Sequence, residues 1–205
     1  MNESAREEVS VSASAAERLS LRWLAAWTVG LVVVTAIVLR LMGQPIWCKC
    51  GQWKPWSWDI WSSHNSQHLF DSYTASHVLQ GVIFCGMLYW LPRSVSGSTR
   101  FLAAVVMEGG WEILENSPLI IERYRESTMA QDYFGDSLAN SACDLLASMA
   151  GYLVACRLRA VKSVVFSVAT ELVMLFWIRD CLTLNVLMLV WPIDAIKQWQ
   201  VALMP

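Results

Sequence analysis

Hydrophobic positions in this chain fall in long blocks, interrupted by short polar turns and one long polar insert. Residues 1–20 are polar, rich in Ser, Ala and Glu and without an apolar period, which predicts a disordered tail. From Leu21 to Met42 the chain is apolar except for Arg22 and Arg40 near the ends, a length that crosses a bilayer as a helix. This block is longer than the apolar core of a signal peptide, and no small-residue cleavage site follows it, so an uncleaved first helix is expected. Residues 43–73 read as a polar, Trp-rich loop. Further helices are predicted over about 74–91, stopping at Pro92, and over 100–114, with Pro118 just beyond. A charged loop (121–135) then precedes helices over 136–156 and 161–178. The last apolar stretch, 182–191, is too short to span a bilayer at about 1.5 Å per residue and reads as interfacial or re-entrant. The pattern therefore predicts an all-α polytopic membrane helix bundle of about five transmembrane helices plus that short C-terminal helix. Residues 21–205 would form a single integral membrane domain.

Composition agrees. Only 16% of the residues are charged, against about a quarter in soluble domains. A net charge of −2 offers nothing to a nucleic-acid backbone. Several of the 12 Trp, among them Trp23, Trp47, Trp90 and Trp191, fall near predicted helix ends, where an amphipathic ring suits the headgroup level. Lys and Arg are nearly balanced between the two sets of loops. The crowding of Arg157, Arg159 and Lys162 in one short turn favours a cytoplasmic N-terminus.

Charge inside the apolar blocks changes the picture. Glu108, Glu112 and Glu115 recur at i, i+4, i+7 and share one helix face, as do Asp136, Asn140 and Asp144 at i, i+4, i+8. His77 stands in the first turn of the second helix and Glu171 inside the fifth. Each ionised group at mid-bilayer costs roughly 2.5–3.5 kcal/mol, so these side chains must face one another or a wet cavity. With the N-terminus inside, His77, Glu112, Glu115, Asp136, Asn140 and Asp144 reach the same outer layer, and Glu108 lies deeper. The bland alternative is polar glue that locks helices together by hydrogen bonds.

The first outer loop holds His64 and His68 four residues apart with Asp71 beyond, a spacing that suits metal ligands on a helical turn. It also holds Cys48 and Cys50, open to metal binding, a strained labile disulfide or two free thiols. Cys85, Cys143 and Cys156 read as small hydrophobes within helices, and Cys181 has no assigned role. Arg123 and Arg125 could hold a phosphate headgroup, although such a run more often forms a salt-bridged turn.

Four strings carry a resemblance: Ser-x-Asn-Ser-Gln-His with Tyr-Thr-x-Ser-His (63–77), Trp-Glu-Ile-x-Glu-Asn-Ser-Pro-x-Ile-Ile-Glu-Arg-Tyr-Arg-Glu (111–126), Asp-Tyr-x-Gly-Asp-Ser (132–137) and Leu-Thr-Leu-Asn-Val-Leu-Met-Leu-x-Trp-Pro-x-Asp-Ala-Ile (182–196). Together they resemble a family of proteobacterial inner-membrane proteins with no established activity, over nearly everything after residue 45. The resemblance implies a bacterial inner-membrane location. Members tend to carry Glu at the position of His64 and Asn at that of Cys181, which demotes both residues and the His64/His68 pair. More distantly, the order His, Glu, then Asp-x-x-x-Asn-x-x-x-Asp on successive helices resembles the VanZ-like membrane proteins, a fold-level analogy.

These readings converge on a membrane-embedded enzyme or ligand site that opens to the periplasmic leaflet and takes lipids or lipid-linked envelope precursors. Glu112 and Asp144 are the candidate acid/base or metal carboxylates and His77 the candidate base or ligand, oriented by Asn140 and Asp136. Ser137 and Ser141 are nearby nucleophile candidates. A divalent metal is the one cofactor considered, with Glu108, Glu115 and His68 as further ligand candidates. The rival reading is a non-catalytic assembly or accessory protein. Proton-coupled transport would need a polar path continuing to the cytoplasmic side, toward which only Glu108 points.

Overall fold

The computed structural model describes residues 21–130 and 132–202; residues 1–20, Gln131 and 203–205 lie outside the described residues, and with them the expected tail. The elements in chain order are α1 (Glu3–Leu41, described from Leu21), β1 (Trp56–Ser57), β2 (Phe70–Asp71), α2 (Thr74–Tyr89), α3 (Gly97–Glu115), α4 (Pro118–Ser127), α5 (Leu138–Arg157), α6 (Ala160–Ile178), α7 (Leu182–Val190) and α8 (Asp194–Val201). The two strands form a minimal parallel ladder that pairs Trp56 with Phe70 and Ser57 with Asp71. Among the described residues, three helical segments are long and apolar enough to cross a membrane: Leu21–Leu41, α5 and α6. The apolar α2 is shorter, and the acidic residues of α3 lower its hydropathy.

The structure corrects two boundaries and adds one helix. The charged loop expected over 121–135 contains α4, because Pro118 opens a helix instead of following one. Ser117 caps it, accepting from the Ile120 amide at 3.4 Å, and Pro occupies the first helical position, where no N–H is needed. Asp136 lies ahead of α5, since Ser137 is the N-cap and accepts from the Asn140 amide at 3.1 Å. The C-terminal apolar stretch is followed by a second short helix, α8.

Helix ends are satisfied by distant groups. Arg100 of α3 gathers the carbonyls that end α2, donating to Leu88 at 2.6 Å, Tyr89 at 3.1 Å, and Leu91 and Pro92 at 3.0 Å. The first amides of α5 donate into the long loop: Ser137 to Ser66 O at 2.9 Å, Leu138 to Pro45 O at 2.8 Å and Ala139 to Ile46 O at 3.2 Å. The loop between α1 and α2 thus forms a roof over one end of the bundle.

Backbone proximity sets the helix arrangement. A Cβ at Gly81 would lie 1.9 Å from Ser148 O, and one at Gly151 the same distance from Val78 O, so α2 and α5 touch where only glycine fits. The two run parallel, with His77 beside Asp144 at the roofed end and Cys85 3.5 Å from Cys156 at the other. Against them α3 is antiparallel: Phe101 near its start stacks edge-on to Tyr152, and Glu112 near its end meets the His77–Asp144 level. Polarity is inverted relative to a soluble domain. Buried polar residues outnumber buried hydrophobic ones, whereas Val164, Val165, Val173 and Phe176 of α6 and Trp27, Val34 and Ile37 of α1 are exposed.

Candidate functional site

Three helices bring the cluster together. The glycine contact between α2 and α5 seats His77, one turn before Gly81, against Asp144, one turn before Ser148. His77 Nδ1 lies 2.7 Å from Glu108 Oε1 and 3.6 Å from Glu112 Oε1, and Nε2 lies 3.9 Å from Asp144 Oδ2. Glu108 is the carboxylate acceptor for an Nδ1–H, which orients the ring and leaves Nε2 toward Asp144. Donor atoms of His77, Glu112 and Asp144 all lie within 4.8 Å of one another, close enough to share one cation. Glu112 is fully buried, yet among the described residues neither carboxylate oxygen has a hydrogen-bond partner; Glu108 Oε2, Asp144 Oδ1, Asn140 Nδ2 and Ser141 Oγ share that condition. Buried polar atoms are ordinarily paired, and leaving one unpaired costs about 1–3 kcal/mol. Three carboxyls around one imidazole leave excess negative charge unless protons or a cation are bound.

His77, Glu115, Asp136, Asn140 and Asp144 line a cavity of about 50 Å³, enough for roughly a few waters or a small polar group. Its rim came from segments that read as loop or charged turn. Asn116 and Asp136 exchange two bonds, Nδ2 to Oδ2 at 2.8 Å and the Asp136 amide to Asn116 Oδ1 at 2.7 Å, and the Tyr133 hydroxyl lies 3.0 Å from both Asp136 oxygens. Burial pushes the Asp136 carboxyl up to about 6, with the Asn116 and Tyr133 bonds opposing it. Burial, reinforced by the charge of Asp136, holds the Tyr133 hydroxyl well above its ordinary value, so it stays a donor. Tyr124 OH lies 2.9 Å from both Glu115 Oε1 and Asn185 Oδ1. Opposite, Tyr73 OH donates to Asp180 Oδ2 at 3.1 Å. Burial pushes the Asp180 carboxyl up to about 6 against the Cys181 amide and Tyr73 bonds.

Beside this cavity runs a mostly apolar groove of about 1170 Å³ among α2, α3, α6 and α7, walled by Ile83, Phe84, Leu114, Val168, Leu172 and Leu184. The two share Gln80, Trp111 and Leu182, and Trp111 Nε1 is a buried donor without a partner.

Of the residues expected at the site, His77, Glu108, Glu112 and Asp144 meet directly, and Glu115, Asp136 and Asn140 line the adjoining cavity. His68 stands apart: it belongs to the roof loop beside Cys48, Cys50 and His64. Ser137 is occupied as the α5 cap and donates to Gln67 O at 3.1 Å. Glu171 stands outside the polar cavity, on the wall of the apolar groove: its two oxygens accept the Leu182 and Thr183 amides at 3.0 and 3.1 Å and cap α7. Arg123 and Arg125, read as a headgroup clamp or, more commonly, a salt-bridged turn, donate to backbone carbonyls, Leu189 O at 2.8 Å and Tyr133 O at 2.6 Å. Cys181 fills the small core with Met174 and Ile178. Asn116, Tyr124, Tyr133 and Asp180 were missed, and only their nearness to the acidic runs could have marked the first of them.

Fold and site together define a mostly helical protein with several apolar helices and a buried His–carboxylate cluster at one end of its bundle. Residues 39–202 match the family model described as "Protein of unknown function (DUF2585)", and the chain belongs to that family. It is 47% identical over 184 residues to a "UPF0314 protein" of Rhizobium meliloti, covering 90% of this chain and 93% of the relative. A "UPF0314 protein" of Sphingopyxis alaskensis is 48% identical over 178 residues (87% and 94%), and one of Paracoccus denitrificans 43% over 178 (86% and 92%). No solved structure matches the chain.

Proposed function

We propose that this is a multi-pass bacterial inner-membrane protein whose His77/Glu112/Asp144 cluster acts on a lipid or lipid-linked envelope substrate entering from the outer leaflet. The observation that carries it is the pairing of a buried, unpartnered carboxylate set with an apolar groove that meets the cavity at Gln80 and Trp111. A headgroup would sit in the polar cavity and an acyl or prenyl chain in the groove. Glu112 and Asp144 serve as acid/base groups or ligands of a divalent metal, and His77, oriented by Glu108, serves as base or third ligand. The alternating directions of α2, α3 and α5 support residues 21–205 as one domain of about five spans, with the N-terminus cytoplasmic and the roof loop periplasmic. The distant VanZ-like pattern agrees as an analogy only.

The test is lipid and envelope-precursor profiling of a deletion strain carrying wild type, Glu112→Gln, Asp144→Asn or His77→Gln at matched folded levels. Wild type restores the profile and the variants do not. A deletion that leaves the profile unchanged, or variants that restore it fully, would contradict the proposal. The rival, an assembly or accessory protein held together by its polar groups, requires all three variants to lose folded protein.

A further inference from the structure

The roof loop spans residues 42–73, a long connection whose regular structure is two strands of two residues each. Loops of this length need another source of order. Within it, Cys48, Cys50, His64 and His68 each present one donor atom, and all four lie within 4.8 Å of one another. Cys48 Sγ is 3.3 Å from His64 Nδ1 and Cys50 Sγ is 3.8 Å from His68 Nε2. Metal–sulfur bonds of about 2.3 Å and metal–nitrogen bonds of about 2.0 Å at tetrahedral angles place S and N roughly 3.5 Å apart. The two S···N separations, 3.3 and 3.8 Å, bracket that value.

The surroundings fit a ligand set as well. His68 is 3% exposed and its Nδ1 lies 2.5 Å from the Lys54 carbonyl, so this nitrogen carries the proton and Nε2 keeps its lone pair toward Cys50. The Cys50 amide donates to Cys48 Sγ and the Gln52 amide to Cys50 Sγ, each at 3.4 Å, bonds that favour thiolates. Trp47 stacks on Trp53 and forms a T-shaped pair with His68, ring centroids 5.5 Å apart. Both cysteines are free thiols. The family resemblance counted against the His64/His68 pair, and in this chain both side chains face the Cys48–Cys50 turn.

We propose that Cys48, Cys50, His64 and His68 form a Cys2His2 zinc site that fastens the roof loop. Two soft thiolates and two imidazoles in tetrahedral reach select zinc, and four protein donors leave no open position, so the role is structural. The clip joins the Cys48–Cys50 turn to the His64–His68 turn. From these same turns Ser66 and Gln67 carbonyls receive the start of α5, and Asn65 and Ser66 line the polar cavity. Zinc would therefore hold the lid of the candidate site without entering it.

The test is metal analysis of the full chain purified in detergent without chelator. Wild type and Glu112→Gln should each carry about one zinc per chain, and Cys48→Ser/Cys50→Ser and His68→Ala should lose at least ten-fold. Zinc lost with Glu112→Gln but kept in the cysteine variant, or a metal-free wild type with Cys48 joined to Cys50, would overturn the proposal. Should the loop variants fail to fold, wild type reconstituted with cobalt decides. Thiolate-to-cobalt charge transfer with tetrahedral ligand-field bands is expected, and their absence would also overturn it.

Discussion

Two acidic positions of this protein, one half-buried and one fully buried, look alike in sequence and differ in structure. Glu171 and Glu112 each interrupt an apolar helix, and each has its neighbours in other elements. Both oxygens of Glu171 are spent on the Leu182 and Thr183 amides, whereas both oxygens of Glu112 lack a hydrogen-bond partner at zero exposure. A carboxylate inside an apolar helix is therefore not by itself a site. Glu171 closes a helix end, and Glu112 is left without a hydrogen bond among the described residues.

The largest effect should come from the contact that brings α2 to α5. If carboxylates held the helices together, glycine would be dispensable at their crossing. Gly81→Leu, whose side chain has no room beside Ser148 O, should cost on the order of 4 kcal/mol or more and remove most folded protein, read as the monodisperse fraction in detergent. Next is Glu171→Ala, which strands two amides at the start of α7. We expect a loss of about 1–3 kcal/mol in thermal unfolding.

Asp180 gives a smaller, pH-dependent contrast, being an acid with partners on the far rim of the cavity. Its folded-state value of about 6 lies above the ordinary 3.8, so the folded state binds the extra proton in between. Its contribution to stability is therefore present below about 4, declines as pH rises toward about 6 and stays lost above. Asp180→Asn should flatten the fall in melting temperature across that window. An unchanged slope would show that Asp180 does not titrate there.

How far the site was legible follows from where its residues sit. Helical periodicity brought Glu108, Glu112, Asn140 and Asp144 to the right faces, because spacing on a helix is local information. Asp136 reached the cavity by another route than predicted: Ser137 ends the helix before it, and Asn116 pins it from α3's end. Glu171 was ambiguous because its partners arrive only after the chain reverses at Arg179, a left-handed residue at φ 53° that no local pattern announced. Tyr73, Tyr124, Tyr133 and Asp180 meet across loops and were invisible to periodicity. The Cys–His group was visible as spacing, but its four members join only through the folded path of the roof loop.

The central claim is that the Glu112 cluster is maintained for function and not for helix packing. The most direct measurement is the melting temperature of purified Glu112→Gln beside wild type, the smallest effect in the series. With no hydrogen bond to lose among the described residues and a side chain of the same shape in its place, the variant should melt at the wild-type temperature or above it. A drop comparable to that of Glu171→Ala would contradict the account and return the cluster to helix packing.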